Sequence, residues 1–263
     1  MTRFTDSVSE SAVRERLDRV TDPELDESIV ELQYIDQIHI DGHDVTVQFR
    51  LPTAWCSPAF AWMMATGIRD EVGSLPPVET IQIRLIDHMH EAEINRGVNE
   101  RLAFDDVFED AEDDITQVRE ELDQKARLAR QYRAVNALRD AGLQPDQIVR
   151  LQRNDVTFQA DGPPTTSGDR EHAVVTVQDG GLHVSVPAAP LREYLEKATG
   201  TGIVASAEDV LFATPENDPI DVDNFEQVHA RSRLAHTNMD GQGGICANLN
   251  ESRYEDVSIP REG

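Results

Sequence analysis

The stretch HIDGHDVTVQFRLPTAWCSPAF, His39 to Phe60, decides the fold. Asp41-Gly42-His43-Asp44 is a hairpin turn signal. The run that follows alternates, with Val45, Val47, Phe49 and Leu51 on one face and Thr46, Gln48 and Arg50 on the other. A period of two with one apolar face describes a half-buried antiparallel strand. Ser57-Pro58 then opens a helix, with serine at the N-cap and proline at the first helical position.

Working outward, PAFAWMMATGIRDEV places Phe60, Met64, Ile68 and Val72 on one helical stripe that Gly73 can close. SLPPV breaks the chain, and TIQIRLI returns as a strand with Ile81, Ile83 and Leu85 inward. Upstream, SESAVRERLDRV is a helix carrying Val13, Leu17 and Val20 at helical spacing, with Ser9 or Ser11 as its cap. TDPEL turns the chain, and SIVELQYIDQIHI leads into the first hairpin strand, with Ile38 and Ile40 on one face. The order helix, hairpin, helix, strand gives an α+β fold. A right-handed crossover completes a small mixed three-stranded sheet with helices packed on it.

Beyond this domain, assigned to residues 1–103, the acidic stretch FDDVFEDAEDD reads as a linker over 104–114. The remainder, 115–263, begins with the long helix ITQVREELDQKARLARQYRAVNALRDAGL, ended by Gly142 and Pro145. A smaller α+β region follows: the loop DGPPTTSGD, a hairpin around Asp179-Gly180-Gly181, and the short helix PLREYLEKA.

Composition narrows the function classes. Fifty acids oppose 24 bases, for a formal net charge of −26, and the only lysines are Lys125 and Lys197. Such a surface repels nucleic acid and anionic membranes. It suits a cytoplasm of very high salt, where the Debye length shrinks to about 3 Å at 1 M. An ordinary acidic protein with acidic tails is the alternative, although the acids here are spread through every segment. No apolar run approaches the roughly 18 residues of a spanning helix, and the first residues lack the apolar centre of a signal peptide, so the expected location is cytoplasmic. Two cysteines, Cys56 and Cys246, are too few for a disulfide framework or an all-cysteine zinc site.

Cys56 lies one residue before the helix cap, where unpaired N–H groups and the helix dipole favour a thiolate. The hydroxyl of Thr53 is placed to donate to its sulfur. Free cysteines are equally at home as small packing hydrophobes, here beside Trp55. On position alone both readings stand.

Taken together, Asp22-Pro23-Glu24-Leu25, the SIVELQYI run and Thr53-Ala-Trp-Cys56-Ser57-Pro58 resemble the SufT/PaaD-like metal–sulfur cluster assembly domain, which is shared with the eukaryotic cytosolic iron–sulfur targeting factor. The resemblance covers roughly residues 10–100. It implies assembly or delivery of iron–sulfur clusters, or iron, to recipient metalloproteins alongside other cluster assembly proteins. The matching Cys56 would be the reactive ligand, with Asp22, Glu24 and Thr53 near it. One thiolate and nearby carboxylates cannot close a four-coordinate cluster site, so a bound cluster would be transient, or shared by a homodimer.

Further candidates lie outside those motifs. His88 and His90 share a face if the third strand continues that far, a pair suited to iron. A polar exit from the sheet is the plainer reading. The run Glu93–Asn99 has helix-cap and turn chemistry. In LAHTNMDGQGGICANLNESRY, His236, Asn238, Asp240 and Cys246 surround a glycine-rich turn. Longer members of the same family, associated with multicomponent di-iron hydrocarbon monooxygenases, end similarly. That implies an accessory maturation or interaction module for such an oxygenase, possible without a bound cluster. The plain reading is a solvated tail, with Asp240-Gly241 a simple turn. A thiol enzyme would need a base near Cys56, for which His39 or His43 is the candidate, yet neither sits in a recognisable catalytic signature. A non-catalytic assembly factor is therefore the expectation.

Overall fold

A computed structural model of the chain describes residues 8–109, 114–158, 171–177 and 180–257. The chain forms two compact units, Met1–Arg119 with Asp240–Gly263, and Glu120–Met239.

The first unit has the expected α+β architecture. Helix α1 spans Glu10–Leu17, and its N-cap Ser9 accepts the N–H of Ala12 at 3.2 Å. Two short strands, β1 (Thr21–Asp22) and β2 (Glu27–Ser28), form a miniature antiparallel hairpin around the DPEL turn. Asp26 takes the positive φ of 56° that this tight reversal needs, a conformation aspartate tolerates better than most residues. Strand β3 (Ile35–Asp41) pairs antiparallel with β4 (Asp44–Phe49). The chain then crosses through α2 (Pro58–Gly73) to β5 (Thr80–Leu85), which lies parallel to β4. The sheet order is β3-β4-β5. Val45, Val47, Phe49 and Leu51 are buried, as their alternation requires, and pack with Met64, Ile68 and Val72 of α2.

Strand β5 is a sheet edge, and α3 (Glu91–Asn99) covers it in an unusual way. The side-chain amides of Asn95 and Asn99, one helical turn apart, act as strand backbone. Asn95 Oδ1 accepts the N–H of Leu85 at 2.7 Å, and its Nδ2 donates to the Leu85 carbonyl at 2.9 Å. Asn99 makes the same pair of bonds with Ile83, both at 2.8 Å. Unpaired edge groups are thereby satisfied without a fourth strand. The Glu93–Asn99 run is thus helix rather than turn, and its asparagines hold the sheet.

The acidic stretch opens on a short helix. Phe104–Val107 forms α4, Phe104 is buried, and its ring meets Trp62 edge-on at 5.5 Å. Burial of an aromatic body outweighs the acidic composition around it. Residues 110–113 lie outside the described residues. Residues from Asp240 on fall in the first unit with Met1–Arg119.

Helix α5 (Ile115–Asp140), which belongs to the second unit from Glu120 on, is followed by Gly142, whose φ is +95°. A short helix α6 (Pro145–Ile148) follows, then an antiparallel sheet of β6 (Val156–Phe158), β7 (His172–Val177) and β8 (Leu182–Pro187). The sheet packs with α7 (Ala188–Gly200) around Val175, Val186, Leu191 and Phe212. The whole DGPPTTSGD loop and Asp179 lie outside the described residues. Buried Arg127 ties the 213–217 segment to α5, donating to the carbonyl of Thr214 at 2.9 Å and to Asn217 Oδ1 at 3.3 Å.

The C-terminal region is helical and not a turn: α8 runs from Phe225 to Val257 through Asp240-Gly241-Gln242-Gly243-Gly244. Each glycine costs a helix about 1 kcal/mol relative to alanine. In the first half of α8, Phe225, Val228 and Met239 are buried.

Candidate functional site

Cys56 sits in the loop between β4 and α2, half-buried at the edge of the first unit's core. Thr53 shapes this loop. Its Oγ1 accepts the Trp55 N–H at 3.2 Å, which leaves its own hydrogen free for the sulfur of Cys56, 3.4 Å away. Ser57 occupies the N-cap position, but its hydroxyl makes no capping bond, so no side-chain cap from it competes for the positive end of α2. Trp55 is 75% exposed and does not pack on the cysteine as a core aromatic would.

The segment after β5 clamps the loop. Met89 donates its N–H to the Ala54 carbonyl at 3.0 Å, and His88 Nε2 lies 2.9 Å from the carbonyl oxygen of Cys56. A carbonyl only accepts, so Nε2 carries the proton, and Nδ1 accepts the N–H of His90 at 3.2 Å. Both ring nitrogens of buried His88 are thus engaged in shaping the backbone. The pairing of His88 with His90 on a strand does not occur, because β5 stops at Leu85 and Asp87 turns the chain with a φ of 57°. The His90 ring lies 6.1 Å from that of His88 and 5.5 Å from that of Phe108, lining a cavity of about 840 Å³ with Ser57, Pro58, Glu93 and Arg96.

Asp22 is buried and holds the DPEL turn. Its Oδ1 accepts the N–H groups of Glu24 at 2.8 Å and Leu25 at 3.2 Å, and Oδ2 accepts the Tyr34 hydroxyl at 3.2 Å. Burial raises its carboxyl above the usual range, and these three bonds oppose the rise. An acid that binds its proton more tightly when folded loses stability as pH rises from its ordinary value of 3.8. Asp22→Asn keeps the acceptor at Oδ1 and removes the charge. We expect this variant to unfold at a higher temperature than the wild type at pH 7, with the difference vanishing below pH 3.8. A variant less stable at pH 7 would show that the hydrogen bonds to the charged form outweigh desolvation. Tyr34, which the motif reading missed, is pushed up by burial and by the Asp22 charge, and stays a phenol.

Glu24 is half-buried and accepts Gln242 Nε2 at 2.9 Å. Cys246, one turn further along α8, is half-buried too. Burial first, then the charges of Asp22, Glu24 and Cys56, push its thiol up to about 11. Cys56, Thr53, Asp22, Glu24 and Cys246 all belong to the first unit. His236 belongs to the second unit, its ring 5.1 Å from that of Tyr132. The candidate bases are not at the site. His43 lies at the hairpin end of β4, opposite the end that leads to Cys56, and bonds the Pro77 carbonyl at 2.7 Å. His39 is exposed within β3. Among the described residues, no group of three or more His, Cys, Asp or Glu is arranged to hold a metal ion unaided. No helix among them is long and apolar enough to cross a membrane.

No curated protein matches the chain. Residues 10–83 match the model of a family described as iron–sulfur cluster assembly protein. That span runs from α1 into β5 and includes Asp22, Glu24, Thr53 and Cys56, whereas His88, Asn95 and Cys246 fall outside it. Residues 10–83, which lie in the first unit, are thus similar to the iron–sulfur cluster assembly family.

Proposed function

We propose that the protein acts in iron–sulfur cluster assembly by holding iron or a cluster at Cys56 and passing it to recipient metalloproteins, without catalysing a reaction of its own. The observation that carries this reading is the Cys56 loop. Its sulfur is half-buried, hydroxyl-supported by Thr53 and anchored through its carbonyl by His88. A thiol enzyme needs an imidazole lone pair aimed at the sulfur. The imidazole that touches Cys56 uses its lone pair on the His90 N–H instead. A single supported thiol, with neither His39 nor His43 beside it among the described residues, binds its cargo weakly and releases it by ligand exchange, as a carrier must.

Trp55 and Met89 flank the loop with 75% and 52% exposure, giving the site an apolar rim for a recipient protein to cover. In cells carrying only Cys56→Ser, recipient iron–sulfur enzymes should lose activity while the variant accumulates normally. Full recipient activity in that strain contradicts the reading.

A further inference from the structure

Beside the Cys56 loop, the first unit opens into the cavity of about 840 Å³. Ser57 and Pro58, the two residues that follow Cys56, line it. So does His90, two residues on from the His88 that bonds the Cys56 carbonyl. The exposed Trp55 and Met89 lie on these same two segments, which the bond from the Met89 N–H to the Ala54 carbonyl clamps together. The lining divides by depth. Phe104 is buried and Phe60, Val107 and Phe108 are half-buried, whereas Glu93, Arg96, Asp106 and Glu109 are exposed. Those four charged side chains make no ion pair or hydrogen bond among the described residues. Elsewhere Arg16, Arg50, Arg133 and Arg139 each hold a carboxylate. The half-buried His90 ring likewise has no hydrogen-bond partner among the described residues. An apolar hollow with a few polar groups converging on it, within the roughly 300–1,000 Å³ of known sites, is built to take a guest.

We propose that this cavity docks a basic segment of the recipient protein. One bulky apolar side chain of the segment seats on the phenylalanines, and flanking lysines or arginines pair with Glu93, Asp106 and Glu109. Charge complementarity selects this occupant. Three carboxylates against one guanidinium leave the rim negative, so an acidic segment would meet repulsion there and from a chain of formal net charge −26. A second copy of this chain carries the same excess of acid and is the poorer fit. The seated side chain excludes water from the floor, which strengthens the ion pairs around it. That the partner is a recipient rests on the reading of Cys56 as the cargo residue; docking beside Ser57 sets it next to the loop that bears the sulfur.

The test selects random linear peptides, displayed on phage, against the full chain, then synthesises the enriched sequence and titrates it by calorimetry. The enriched peptides should share one aromatic or branched aliphatic residue flanked by lysine or arginine. Glu93→Gln combined with Asp106→Asn should weaken the synthetic peptide at least about fivefold. Asp41→Asn combined with Glu79→Gln, at the hairpin end of the sheet, should leave its affinity unchanged. All four positions are exposed, so the variants keep the fold. No enriched sequence, an acidic consensus, or equal affinities in the two double variants overturns the proposal, the last because it would reduce docking to attraction by the chain's overall charge. The titration uses no metal, so its failure is distinct from a failure of Cys56 to hold cargo.

Discussion

Gly97→Val is expected to unfold the first unit or leave it only marginally stable. The glycine lies on α3 where that helix meets α2, and a Cβ at this position would stand 2.5 Å from two ring atoms of Trp62 and 2.8 Å from Val107 Cγ2. Real Cβ atoms do not approach so closely, so the indole must move. Trp62 cannot move freely, because its ring is 4% exposed and held edge-on by Phe104 at 5.5 Å and Phe108 at 6.3 Å. Overpacking of a filled core costs about 1–3 kcal/mol and sometimes more. Here the shift also pulls on Asn95 and Asn99, which flank Gly97 and satisfy the open edge of β5. We expect a loss of about 3 kcal/mol or more, read as a lower urea midpoint with an unchanged slope. A midpoint equal to wild type would mean that α2 and α3 are less closely packed than described.

His88→Ala should affect both stability and cargo. The imidazole is buried, and its removal leaves a cavity together with two unpaired groups, the Cys56 carbonyl and the His90 N–H. Unpaired buried groups cost about 1–3 kcal/mol each, and water entering the cavity recovers part of it. The more specific result concerns the metal. Residues that orient a ligand without touching the ion typically change affinity by about 10–100-fold. His88→Ala should therefore weaken binding of iron or cobalt by about tenfold while Cys56 remains present and titratable by a thiol reagent. His88→Gln, whose amide can donate to the Cys56 carbonyl, should recover part of that affinity. Equal metal affinity in wild type and His88→Ala would show that the clamp serves the fold alone.

The core of the first unit was legible because it is written in short-range patterns. Val45, Val47, Phe49 and Leu51 alternate, Met64, Ile68 and Val72 repeat at helical spacing, and Gly42 marks the turn between β3 and β4. The part of the site built from Asp22, Glu24, Thr53 and Cys56 was legible as a motif. Its supporting bonds were not. Nothing local announces that His88 reaches a carbonyl 32 residues away, or that Gln242 reaches Glu24 across 218. Those partners are set by tertiary packing, which spacing rules do not encode. The tail failed for a different reason. Three glycines between residues 241 and 244 signal a turn, whereas α8 runs through them without a break. Asn95 and Asn99 are not legible as edge partners, because asparagine signals caps and turns, whereas here the same amide chemistry substitutes for a neighbouring strand.

These elements converge on one claim, that Cys56 is the residue that holds the cargo. The most direct measurement is anaerobic reconstitution of wild type and Cys56→Ser with iron and sulfide, followed by visible absorption and iron analysis of the desalted protein. We predict a sulfur-to-iron charge-transfer band with bound iron in the wild type, and loss of both in a Cys56→Ser protein whose thermal unfolding is unchanged. Equal colour and equal iron in the two proteins would contradict the account.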